Sequence, residues 1–165
     1  MWVGLTGVLG GCLGDDDTVE TDDDGERGRQ GPVVSGVELF HSRPLAFYDP
    51  ETGDPIADVH GHDDSSHWHF QPLEVPLDAE RVVEAVVRNS EEEHLPLGAE
   101  EQFQLSVEAE PSDLVTIEID RNLVSFLGHE EGRGDVTFGV TGPNGDTWTS
   151  PELTLEVSES GSTAS

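Results

Sequence analysis

The stretch DVTFGVTGPNGDTWTSPELTLEV, residues 135–157, decides the fold. Val136, Phe138 and Val140 fall on alternate positions, and Leu153, Leu155 and Val157 repeat the pattern at the end of the stretch. A period of two puts one row of side chains on a buried face and the other in water, which is how a half-buried strand reads. Pro143-Asn144-Gly145-Asp146 separates the two runs. Asn-Gly between strand-like runs is a strong hairpin signal, because both residues tolerate positive φ.

The same alternation extends upstream. QFQLSVEA places Phe103, Leu105, Val107 and Ala109 on one face, and LVTIEID does so with Val115, Ile117 and Ile119. Pro111-Ser112-Asp113, Asp120-Arg121-Asn122 and Gly132 to Gly134 mark turns between these runs. Earlier still, VELF, LAFYD and IADVH read as short strands around the turn DPETGDP. RVVEAVVR suits a helix by the spacing of its apolar residues, but its four valines favour a strand. Short strands separated by turns predict an all-β chain folded as a β-sandwich. The order of strands in the last 80 residues resembles bacterial immunoglobulin-like domains, without the Cys-Trp-Cys signature of antibody domains.

Composition sets the boundaries. Residues 13–33 are almost free of apolar side chains and predict an acidic, disordered tether; the sandwich is expected over 34–158 and a frayed tail over 159–165. Thirty-six acidic residues stand against seven arginines and no lysine, for a net charge of −29. A nucleic-acid partner is excluded on that balance, because phosphate binding needs a basic footprint. The charge would drive self-repulsion in dilute buffer, but in molar salt the Debye length falls to about 3 Å. This carboxylate-rich, lysine-free composition resembles that of haloarchaeal proteins.

The single cysteine excludes an internal disulfide and any site built from several thiolates. Cys12 ends the apolar run MWVGLTGVLGGC and precedes LGDDDTVETDDDG. Leu9-Gly10-Gly11-Cys12 resembles a lipobox, although no arginine or lysine precedes the apolar run. The resemblance implies a signal segment over 1–12, lipidation of Cys12 and an extracytoplasmic protein held to the outer face of the cell membrane by its lipid anchor alone. Eleven residues are too few for a spanning helix, which takes about 20.

HGHDDSSHWHF, residues 60–70, concentrates four of the seven histidines: His60, His62, His67 and His69. On a strand, positions i and i+2 share a side, so each His-x-His pair can present two imidazoles together while Trp68 turns to the core. The short loop through Asp63 and Asp64 would fold the second pair over the first. Neutral imidazole suits zinc, with copper, nickel or iron as alternatives. Asp58, Asp63, Asp64 and Glu74 are candidates for further ligands or for partners that orient the imidazoles. His129, after LVSFLG, is a candidate ligand brought in by the fold. His94 reads as a turn residue and His41 as a strand end.

IADVHGHDDSSHWHF resembles an HG-then-HWH motif in secreted, largely uncharacterised prokaryotic proteins with one immunoglobulin-like domain. That resemblance implies metal handling, with a metal transporter or an envelope protein as partner. The second histidine patch of such proteins is reduced here to His129. Two alternatives stand beside it. One is a cell-envelope interaction or adhesion module that holds no metal. The other is a degenerate cupin-like metalloenzyme, since Gly61, His67, His69 and Glu74 resemble the first cupin motif, although Arg81 stands where that motif has glycine. No independent catalytic base stands out, so the expectation is a binding protein rather than an enzyme.

Overall fold

A computed structural model describes residues 30–61 and 65–159. Thirteen strands run through them: β1 Val33–Val34, β2 Val37–Glu38, β3 Leu45–Tyr48, β4 Pro55–Gly61, β5 Ser66–His69, β6 Leu73–Pro76, β7 Glu80–Val87, β8 Gln104–Glu110, β9 Val115–Asp120, β10 Leu123–Gly128, β11 Gly132–Thr141, β12 Thr147–Thr149 and β13 Leu153–Ser158. No helix occurs among the described residues, and so none there is long and apolar enough to cross a membrane. The chain is an all-β sandwich, and RVVEAVVR is the strand β7.

One large sheet has the order β5-β4-β3-β7-β10-β9; the second runs β12-β11-β13-β6, with β8 on the free side of β11; β1 and β2 form a small two-stranded sheet of their own. From β7 onward the chain follows an immunoglobulin-type path. β7-β10-β9 correspond to strands B-E-D, and β8-β11-β13 to C-F-G. β12 and β13 are two halves of one return strand, pairing with successive parts of β11. β6 lies parallel to β13. Beside β7, where strand A would end the sheet, β3 takes its place and β4 and β5 continue outward. The histidine-bearing strands thus form an extension of the sandwich, and β5 is its edge.

The alternating residues meet between the sheets as the period-two reading requires. Val136, Phe138, Val140, Leu153, Leu155 and Val157 are all buried. The Phe138 ring packs edge-on to Phe47 at 4.8 Å and to Trp68 at 5.9 Å, and Phe47 stacks on Trp68 at 5.2 Å. Trp68 also donates its Nε1–H to the Pro151 carbonyl across the interior at 2.7 Å. These contacts pin the edge strand β5 onto the opposite sheet. Aromatic pairs of this kind are worth about 0.5–1.5 kcal/mol beyond the area they bury.

Between β12 and β13 the ladder is interrupted at Ser150 and Pro151. Ser150 is buried, and its hydroxyl accepts the Phe138 N–H at 3.0 Å, so the break leaves that donor satisfied. The expected Asn-Gly hairpin joins β11 and β12, with one difference. Only Gly145 takes positive φ (86°), because the loop is a three-residue connection whose last position is left-handed, not a two-residue turn. Asp146 then reaches Ser35 in the β1–β2 turn, accepting its backbone N–H at 2.6 Å and its hydroxyl as well.

Candidate metal centre

The β4–β5 register builds the site. Asp58 pairs with His69, Val59 with Trp68, and His60 with His67. Val59 and Trp68 are buried in the core, so the pleat sends Asp58, His60, His67 and His69 to the other face of the sheet. Four potential ligands thus stand in a two-by-two block. The His60 and His69 rings lie diagonally across it, stacked at 4.6 Å with an interplanar angle of 14°. His67 lies 4.9 Å from His69 and 5.9 Å from His60 between ring centroids.

Asp58, His60 and His69 each offer a ligand atom, and the three atoms lie within 4.8 Å of one another. A tetrahedral ion about 2.1 Å from its donors separates them by roughly 3.4 Å. The group is therefore open by up to about 1.4 Å, within reach of side-chain rotation, and it could hold a metal ion. His67 is exposed at the lip of the block.

Asp58 is the unusual member. It is 5 % exposed although it points away from the core, and its outward cross-strand neighbour on β3, Ala46, is buried too. Its Oδ2 makes no hydrogen bond. The Nε of Arg43 stands 3.3 Å from that oxygen, close enough for an ion pair but not aligned as a hydrogen bond. A buried carboxylate oxygen in this condition is costly unless a cation completes its surroundings. Here Arg43 is the cation at this oxygen, and Asp58 is set apart from the half-buried His60 and His69 by its burial and its unbonded Oδ2.

The remaining candidates divide clearly. His62, Asp63, Asp64 and Cys12 lie outside the described residues. His129 is not brought to the block: β3 and β7 intervene between β4 and β10, which places it at least about 14 Å from β4, and one strand further from β5, at the usual strand spacing. There it pairs with the Thr116 hydroxyl instead. Glu74 sits on β6 in the opposite sheet, facing outward between the buried Leu73 and Val75. It is separated from the histidines by the whole core, so the cupin-like set of His67, His69 and Glu74 is not assembled. His41 follows β2, where Ser42 meets its ring at 2.9 Å, and His94 bridges to Arg88. Sequence reading named Asp58 only among nearby carboxylates and did not single out Arg43. For Asp58 the signal was present, since Asp58-x-His60 has the same i, i+2 spacing as the His-x-His pairs.

No family model matches the chain, and no curated protein matches it. Among solved structures it is similar to domains 4 and 5 of the S-layer protein SbsC. The two share 10 % identity at a TM-score of 0.39, over 76 % of this chain and 84 % of that one.

Proposed function

We propose that the chain is an extracytoplasmic, lipid-anchored protein that binds a divalent transition metal, zinc foremost, through Asp58, His60 and His69. The observation that carries this reading is the buried Asp58 carboxylate, with one oxygen unbonded, set beside two stacked imidazoles. Two nitrogens and one carboxylate oxygen suit zinc, copper, nickel or iron better than magnesium or calcium, which prefer all-oxygen shells. His67 at the lip is placed to serve as a fourth ligand or as the position where an ion arrives and leaves.

The site lies on the outer face of a sheet, in its edge strand and the strand next to it, rather than in a closed cavity. Such a position favours holding and releasing an ion, so the role is buffering at the membrane or delivery to a transporter. The lipobox-like Leu9-Gly10-Gly11-Cys12 and the acidic segment after it support the anchored location.

The test is metal content and affinity of the chain purified in molar KCl, for wild type and for His60→Ala/His69→Ala. One equivalent of tightly held zinc or copper in the wild type, lost in the double variant, is the expected outcome. Equal background binding in both would sink the metal reading and leave an envelope module.

A further inference from the structure

We propose that Arg43 is a built-in placeholder cation: its guanidinium holds the Asp58 carboxylate while the site is empty and must leave when a metal ion arrives. This inference rests on the metal reading above and adds what sets the affinity of that site.

Two observations converge on it. Asp58 is 95 % buried by its 5 % exposure, and its Oδ2, the oxygen without a hydrogen bond, is the one Arg43 Nε approaches at 3.3 Å. The Arg43 side chain is itself 46 % exposed, so it has an open path into solvent. A dication on Oδ2 and a guanidinium at the same oxygen repel each other in a poorly solvated setting, and the more mobile of the two gives way. Only seven basic side chains serve thirty-six acidic ones in this chain. One of those seven lies against the one carboxylate that, among the described residues, groups with two imidazoles.

The backbone under Arg43 is fixed, which makes the exchange a side-chain movement. Arg43 N–H donates to the Phe40 carbonyl at 3.2 Å, and Phe40 N–H donates to the Arg88 carbonyl at 2.9 Å. Gly61 N–H donates to the Ser42 carbonyl at 3.2 Å, tying the loop to the end of β4. The loop passes so close that a Cβ at Gly61 would overlap the His41 carbonyl oxygen, and glycine alone permits that approach. The arginine is thus anchored beside Asp58 at its backbone and free at its tip.

The experiment is zinc titration of the full chain in molar KCl, wild type against Arg43→Gln, with the fate of the guanidinium followed in the wild type by NMR of the Arg43 Nε–H. Arg43→Gln is expected to bind zinc three- to tenfold more tightly. In the wild type, zinc is expected to move the Nε–H signal to the position of a solvated arginine. Equal or weaker zinc binding by Arg43→Gln, beside a wild type that binds, overturns the placeholder role and makes Arg43 a structural support of Asp58. Should Arg43→Gln not fold, an unmoved Nε–H signal in zinc-bound wild type overturns it instead. A wild type that takes up no zinc removes the metal reading itself, and this inference falls with it.

Discussion

Asp58 and His69 face each other directly across the β4–β5 pair, a buried carboxylate opposite a half-buried imidazole. Their neighbours on either strand, Val59 and Trp68, face each other on the opposite side, inside the core. One register thus assigns the hydrophobic anchor and the ligand block at once. A slip of one residue would exchange the two faces.

The first consequence concerns Asp58. Asp58→Asn keeps the volume and removes the charge. Zinc affinity is expected to fall by at least about tenfold, the scale of loss seen even when the partners of metal ligands are disturbed. Stability of the metal-free protein should change by less than about 1 kcal/mol, because the Arg43 partner is half exposed and screened. Calorimetric titration with zinc, together with urea denaturation, checks both parts. Unchanged zinc affinity would remove Asp58 from the site.

His129 and His69 should behave oppositely. His129→Ala is expected to leave metal affinity as in the wild type, since β3 and β7 separate it from the block. His69→Ala is expected to abolish stoichiometric binding. Equilibrium dialysis of the two variants in parallel decides the matter, and a loss of metal in His129→Ala would contradict the placement.

Trp68 should matter for stability and, through β5, for the metal. Trp68→Ala is expected to cost about 3–5 kcal/mol, the usual range for emptying a large aromatic site in a core. Trp68→Phe keeps most of the stack on Phe47 and loses the Nε1–H bond to Pro151. That carbonyl still accepts the Ser150 hydroxyl at 2.9 Å, so the cost should be only about 1 kcal/mol. Denaturant midpoints of the two variants measure the difference.

Gly61→Ala tests the close approach of the loop. The added methyl meets the His41 carbonyl, which is backbone and cannot rotate away. Overpacking of this kind costs about 1–3 kcal/mol. Thermal unfolding reports it, and a wild-type midpoint would show that the loop yields freely.

The Asp146–Ser35 contact has a pH signature. Hydrogen bonds from the Ser35 hydroxyl, and then from its backbone N–H, lower the Asp146 carboxyl below its ordinary 3.8. A lowered folded-state value means that the contact stabilises above about pH 3.8 and that this contribution is lost as pH falls through the lower value. Carbon-detected NMR titration of Asp146 should show a midpoint below 3.8 that returns toward it in Ser35→Ala. The same midpoint in both proteins would discount the contact.

Much of the fold was legible from local pattern. Period-two alternation in 103–109, 115–119, 136–140 and 153–157 depends only on the pleat, so it appears in the sequence whatever the strands pair with. The valines of RVVEAVVR decided strand over helix for the same local reason. The hairpin bearing His60, His67 and His69 was legible too, with Trp68 turned inward, because the i, i+2 rule acts within a strand. The turn at Asn144-Gly145 was legible as a turn but not in its type, which depends on how many residues the pairing of β11 with β12 leaves over.

What the sequence by itself determined, then, is the set of strands and which side chains share a face within each one. The tertiary structure decided which strands are neighbours. That is why His129 and Glu74 leave the site: their distance from His69 is set by strand order and sheet membership, which residue spacing does not encode. It is also why Asp58 becomes central and Arg43 joins it. The cross-strand register puts the carboxylate opposite His69 and beside the stacked His60–His69 pair, and the close approach of the loop at Gly61 brings a charge from fifteen positions upstream against it. The sheet pairings and packed core that hold these groups together exist only in the folded chain.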